Sequence, residues 1–289
     1  MTIAASRQAR RAEALGARLP PLLVAAQRVA ATVAQGVHGR RRVGQGDSFW
    51  QYRPFLPGDA YTRIDWRASA KSDRSFIRET EWEAAQTVCL WRDSSPSMEW
   101  RSGSAAPFKR ERADLLLLAL GALLLRGGER VRLIGGPARL RGGHAALEDL
   151  AAGLTGLQGG SGMPPTTPLP RHARIVLIGD FLSPLREVSA AVDALASIPV
   201  TGHLLQVLDP AEALLPYSGR VRFKGLEQEA DELVPRVEGI RDRYAEALAS
   251  HLHGLANLCT AAGWGFGTHR TDHAPESALL GLYMALSPR

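Results

Sequence analysis

The residues with the clearest chemical potential follow a short apolar run. Thr87-Val88-Cys89-Leu90-Trp91-Arg92 stops at Asp93, and Ser95 and Ser97 follow at alternate positions. An apolar run of this length backed by turn residues suits a buried strand. Asp93-x-Ser95-x-Ser97 then offers one carboxylate and two hydroxyl oxygens near a single point at the strand's end. Hard cations such as Mg²⁺ or Mn²⁺ favour such all-oxygen surroundings, with water filling the remaining positions. A second run, Ala173-Arg174-Ile175-Val176-Leu177-Ile178-Gly179, likewise ends in an aspartate, Asp180. The plainer account is a strand followed by a Ser/Asp turn that caps the next helix, because both residue types favour caps and turns.

A hydrolytic use of Asp93 is a distinct possibility, with the carboxylate as nucleophile of a phosphohydrolase. Aspartyl phosphate chemistry needs a neighbouring acid or base for the leaving group and the attacking water. Ser95, two residues on, cannot serve at neutral pH. His144, His172 and His203 fall in or near loops, where isolated histidines are more often surface or capping residues.

The elements that must position these residues alternate along the chain. The pattern predicts helix over Phe108 to Arg126, strand over Glu129 to Ile134, helix over Ala145 to Leu157 and a Gly/Pro loop from Gln158 to Pro170 that carries Thr166-Thr167. After the strand ending at Asp180 come helix over Leu185 to Ile198, strand over Val200 to Leu208 and a short edge strand over Arg220 to Lys224. A long helix over Arg236 to Ala262, strand over Trp264 to Arg270 and a closing helix over Pro275 to Leu286 complete the chain. Such alternation indicates a doubly wound, mostly parallel α/β sheet of Rossmann-like type, whose ligands sit beyond the carboxyl ends of the strands.

The N-terminal part differs. Residues 1–38 read as a helical segment rich in Ala and Arg, interrupted at Pro20-Pro21, and Arg40-Arg41-Arg42 follows as a basic turn. Residues 39–86 change to glycine, aromatics and alternating charge, a β-rich extension before the α/β domain of residues 87–289. In that extension Asp59, Arg63, Asp65 and Arg78 are expected to pair in a partly buried network. Gly44-x-Gly46 is no dinucleotide fingerprint, because no strand-to-helix Gly-x-Gly-x-x-Gly is completed.

The chain of 289 residues is 45% hydrophobic, ample for a substantial core. Its two cysteines, Cys89 and Cys259, suggest neither a disulfide framework nor a zinc site, and a cytoplasmic setting fits. The most apolar run, Leu115 to Leu125, is too short to cross a bilayer at ~1.5 Å per residue, so no membrane span is expected. A net charge of +6 raises nucleic-acid binding through the N-terminal arginines. The absence of an aromatic-interleaved basic motif argues against it.

Asp93-x-Ser95-x-Ser97, a threonine before the next apolar strand and Asp180 after that strand together resemble the metal-ion-dependent adhesion site of von Willebrand factor A domains. Upstream, Gly44-x-Gly46, Arg53, Pro57-Gly58-Asp59, Arg63-Ile64-Asp65-Trp66, Ser69-Ala70-Lys71 and Arg78-Glu79-x-Glu81-x-Glu83 resemble the signature of the bacterial domain-of-unknown-function family fifty-eight, a von Willebrand A-like group. Lys71 stands where that family more usually has arginine. The resemblance implies a bound Mg²⁺ or Mn²⁺, with Asp93, Ser95 and Ser97 in the first metal loop, Thr166 or Thr167 in the second and Asp180 in the third. It also implies a docking site completed by a partner's carboxylate, not a catalytic one. The partner implied is a MoxR-type AAA+ ATPase or its client, in the assembly or maturation of another complex.

Overall fold

The computed structural model describes residues 19–36, 49–56, 59–72, 74–80, 86–103, 106–136, 143–157, 159–227 and 229–286. Arg40-Arg41-Arg42, Gly44, Gly46, Pro57-Gly58 and residues 81–85 lie outside this set, as do the side chains of Arg63 and Arg78. The chain divides into two compact units, residues 37–85 forming one and the remainder the other.

The larger unit begins with helix α1 (Leu19–Gly36). Pro20 and Pro21 fall in its first turn, where a missing N–H removes no intrahelical bond, so they begin the helix instead of interrupting it. Ala26, Val29, Ala30 and Val33 are buried at the spacing of one helical face.

The smaller unit pairs strands β1 (Phe49–Pro54) and β2 (Phe76–Thr80) antiparallel, Arg53 opposite Ile77, with the short helix α2 (Trp66–Ser69) between them in sequence. Of the expected network, the partners of Asp59 and Asp65 are seen, whereas the side chains of Arg63 and Arg78 lie outside the described residues. Asp59 is held by Arg53, at 2.6 and 2.7 Å, and also accepts from the Leu56 N–H at 2.9 Å. Asp65 is the helix cap, accepting from the Ala68 N–H at 2.9 Å. The Ser69 hydroxyl donates to the Asp65 carbonyl and accepts from the Phe76 N–H.

The rest of the larger unit runs β3 (Thr87–Arg92), α3 (Lys109–Arg126), β4 (Arg130–Leu133), α4 (Gly143–Gly156), β5 (Arg174–Gly179), α5 (Leu185–Ala196), β6 (Thr201–Leu208), α6 (Pro210–Leu214), β7 (Val221–Phe223), β8 (Glu232–Val234), α7 (Arg241–Ala261), β9 (Gly265–Arg270) and α8 (Pro275–Leu286). Five strands form one wholly parallel sheet in the order β4-β3-β5-β6-β9. Strands covered on both faces can be apolar on both, as β3 is from Val88 to Trp91 and β5 from Ile175 to Ile178. Val88, Leu90, Val176 and Ile178 pack with residues of α1, α3, α4 and α8, whereas Cys89, Trp91, Ile175 and Leu177 pack with those of α5 and α7. Alternate residues of one strand thus feed the two layers of helices. Helix α3 is buried on nearly every side, which explains why its Leu115–Leu125 run carries no polar face. No helix among the described residues is long and apolar enough to cross a membrane.

The sequence-expected edge strand near Arg220 is instead half of a separate hairpin. β7 pairs antiparallel with β8 and not with the main sheet. Leu215, Val234 and Val237 form a small core of its own with Tyr217, Val221, Phe223, Ile240 and Tyr244.

Candidate functional site

Chain order reverses in the sheet between β3 and β5. The chain leaves β3 to build the edge strand β4, then returns to place β5 on the other side of β3. The connection after β3 enters α3 on one face of the sheet and that after β5 enters α5 on the other, so the two loops diverge. In open α/β sheets ligands bind in the crevice this leaves beyond the strands' carboxyl ends. Asp93 and Asp180 are the first residues past β3 and β5.

Close approach of the two strand ends depends on Gly179. A Cβ there would lie 2.8 Å from Asp93 Cβ and 3.0 Å from Asp93 Oδ2. The Asp93 N–H donates to the Ile178 carbonyl at 2.8 Å. Beyond Asp180 the chain turns through Phe181 at a φ of 46°, a conformation costly for a residue with a Cβ. Burial of that ring and the contact of His251 Nε2 with the Phe181 carbonyl at 2.7 Å hold it there. The Gln206 amide, from β6, donates to the Asp180 carbonyl at 2.7 Å. At the end of β3, buried Arg92 pairs with Asp114 of α3 at 2.8 Å and donates to the Asp93, Leu154 and Leu157 carbonyls. One guanidinium therefore ties the backbone at Asp93 to α3 and to the carboxyl end of α4.

Four of the six sequence-selected residues come together as a linked series. Asp93 Oδ1 lies 2.6 Å from Ser95 Oγ, Ser95 Oγ lies 3.0 Å from Ser97 Oγ, and Ser97 Oγ lies 2.6 Å from Asp180 Oδ2. Thr166 and Thr167 are not joined to it by any hydrogen bond among the described residues. Their segment runs beside β4 instead, where the Pro168 carbonyl accepts from Arg132. Two glycines of that loop reach the site. The Gly160 N–H donates to the Ser94 carbonyl at 3.2 Å, and a Cβ at Gly162 would be 3.8 Å from both Asp93 Oδ2 and Ser95 Oγ.

Three further residues at the site were not singled out by sequence. Lys109, fully buried at the start of α3, donates to Asp180 Oδ2 at 2.8 Å and to Glu212 Oε1 at 2.5 Å. Burial opposes its charge, but Asp180 and Glu212 outweigh that and hold it above the ordinary lysine range. In Lys109-Arg110-Glu111-Arg112 it reads as one more polar residue of a helix start, and no sequence signal separates it. Glu212 did carry a signal, because Asp209-Pro210-Ala211-Glu212 has the form of a helix-capping box, and the structure closes it. Glu227, in the β7–β8 loop, accepts from the Ser97 N–H at 3.2 Å and sits in a polar turn with no distinguishing pattern.

The site's electrostatics favour an added positive charge. Asp93 is fully buried, and burial, with Asp180 and Glu227 adding repulsion, pushes its carboxyl up to about 6. Asp93 Oδ2 has no hydrogen-bond partner among the described residues. The three oxygen contacts from Asp93 to Asp180 share only two hydroxyl hydrogens. With both carboxylates ionised these go to the aspartates, and the two serine oxygens face each other with no hydrogen between them. A proton on Asp93 or a cation relieves this. Adjacent ligands of an octahedral ion with bonds of ~2.1 Å lie about 3 Å apart, the spacing of the two serine oxygens. Among the described residues no three His, Cys, Asp or Glu side chains converge on one point. A divalent ion here would therefore take hydroxyl oxygens and water beside Asp93. The residues present fit such an ion.

The histidines weighed for hydrolysis are elsewhere. His172 precedes β5, and His203, near the start of β6, pairs with Gly265 at the start of β9, so both lie at the amino ends of the strands. The side chain of His144 lies outside the described residues.

A family model described as "Protein of unknown function DUF58" matches residues 51–142 and 163–254. Uncharacterized proteins of Mycobacterium tuberculosis and Mycobacterium bovis are 27% identical over 265 residues, covering 83% of this chain and 80% of theirs. A crystal structure of a conserved hypothetical protein BatB from Bacteroides thetaiotaomicron is similar at a TM-score of 0.38 and 16% identity, over 70% of this chain and 97% of that one. An aerotolerance-related membrane protein from Bacteroides fragilis is similar at 0.37 and 17%, over 70% and 98%.

Proposed function

The chain belongs to the DUF58 family, and from that premise we propose that it is a von Willebrand factor A-like, divalent-cation-dependent protein-binding module acting in the cytoplasm. The observation that carries this reading is the unpartnered, buried Asp93 Oδ2 beside two serine oxygens at octahedral spacing, at the point where strand order reverses. Asp93, Ser95 and Ser97 would hold Mg²⁺ or Mn²⁺ directly, and Asp180, engaged by Lys109, would act through Ser97 and water. When bound, the ion supplies a positive centre with exchangeable waters, able to accept an acidic side chain from another protein. The chain's own residues orient the oxygens and exclude bulk water. The family resemblance alone names that partner as a MoxR-type AAA+ ATPase or its client. The hydrolase alternative finds no support in the position of His172 or His203.

Thermal melts with added Mg²⁺ test the ion. An ion at ~100 times its dissociation constant stabilises the native state by roughly 2.7 kcal/mol. Wild type should respond, and Asp93→Asn, which keeps the shape without the charge, should not. A wild type indifferent to millimolar Mg²⁺ and Mn²⁺ would overturn the cation reading. Binding to the ATPase that survives chelation would instead overturn the docking mechanism.

A further inference from the structure

We propose that Glu227 is an acid supplied by the chain itself to the cation site, filling the position that a partner's carboxylate must take over. This rests on the cation reading above and names how that site is regulated. Glu227 Oε1 reaches the Ser97 N–H at 3.2 Å, in the same turn whose hydroxyl oxygens face the site. The Ser97 N–H is the hydrogen-bond partner its carboxylate finds among the described residues, and no lysine or arginine pairs with it there. Its charge instead adds to the repulsion felt by Asp93. A half-buried carboxylate acting on Asp93, with no ion pair of its own among the described residues, is unfavourable, and an ion at Asp93, Ser95 and Ser97 removes that cost.

The loop is shaped to hold the acid in place. The Glu227 N–H donates to Glu229 Oε2 at 2.8 Å, and a Cβ at Gly225 would lie 2.2 Å from the Glu229 carbonyl oxygen, so the turn closes tightly around its own tip. The hairpin below it has only three residues per strand and its own small apolar core. Neither of its strands pairs with the parallel sheet. An external acid would exchange with Glu227 at the ion, and the hairpin would yield to let it in.

Mn²⁺ gives a direct count of what the ion holds. Its paramagnetic resonance signal measures how much is bound, and the relaxation it confers on water protons reports how many exchangeable waters remain on it. In Glu227→Ala, a water should replace the carboxylate, so relaxation per bound Mn²⁺ should rise by the equivalent of about one water. Glu227→Gln keeps an acceptor for the Ser97 N–H and should give the same rise if alanine loosens the hairpin. Equal relaxation per bound ion in wild type and both variants would overturn this inference and leave the cation reading standing. No Mn²⁺ bound to wild type or variants would overturn both.

Discussion

At the residue scale the site is defined by an imbalance of charge. The ammonium of Lys109 is taken by Asp180 and Glu212, and Asp93 is left with an oxygen to which no group among the described residues donates. Asp93, Ser95, Ser97 and Asp180 were legible in the sequence because strand-end aspartates and alternating serines leave a pattern. Lys109 was not legible, since a lysine buried by tertiary contacts looks like any lysine in a helix's first turn. Thr166 and Thr167 were selected by their place in the loop, and the contacts seen between that loop and the site come from Gly160 and Gly162. Elsewhere, buried groups titrate in opposing senses. Burial pushes Asp114 up to about 6 despite Arg92 and Arg110, so its contribution to stability is full below the unfolded value near 4 and is lost as pH rises through about 6. Burial, with Arg112 and His273 adding repulsion, pulls His269 down to about 4. Its contribution is full above ~6.5 and is lost as pH falls towards about 4. The effect of His269 amounts to at most about 2 kcal/mol between pH 7 and pH 5. Arg112 lies 3.1 Å from His269 Nε2, so in His269→Gln, which preserves an acceptor for it, the melting temperature should change more favourably on going from pH 7 to pH 5 than in wild type. Parallel pH profiles would show that His269 is not the acid-sensitive group.

At the element scale, positions of strands and helices in the larger unit were read well because each carries an apolar face with the right period. What the period could not reveal was the partner of each face. Val221 to Phe223 has strand character in either setting, and only the pairing with Glu232 to Val234 makes it a hairpin arm instead of a sheet edge. The same limit applied to Arg53, whose pairing with Asp59 the sequence did not single out. Arg92 shows how one side chain joins elements, as it links β3, α3 and the end of α4 from a fully buried position. Arg92→Leu leaves Asp114 with only Arg110 and three carbonyls without their donor, and should cost about 3 to 5 kcal/mol in a urea melt. A loss under about 1 kcal/mol would mean that Asp114 is protonated in the native state and needs no partner. Gly179→Ala tests the approach of the two strand ends. The clash with Asp93 should cost about 1 to 3 kcal/mol and should weaken Mn²⁺ binding at 25 °C, where the protein remains folded. Unchanged affinity would separate the glycine from the geometry of the site.

At the scale of the whole molecule, the class of fold followed from the alternation of elements, but the strand order did not. Nothing local tells β4 to lie outside β3, or β5 to return to its inner side, because right-handed crossovers permit both placements. That order nonetheless decides where the site is, by making β3 and β5 neighbours with their exits on opposite faces. It also sets a timetable for synthesis. Val88 pairs with Arg174, so β3 waits for most of two helices, an edge strand and a long loop to emerge before its inner edge is covered. During that interval the apolar sides of β3 and α3 have no complete partner, and non-local parallel pairing is slow to form. The feature that creates the crevice therefore also makes the nascent chain dependent on whatever shields it until β5 arrives.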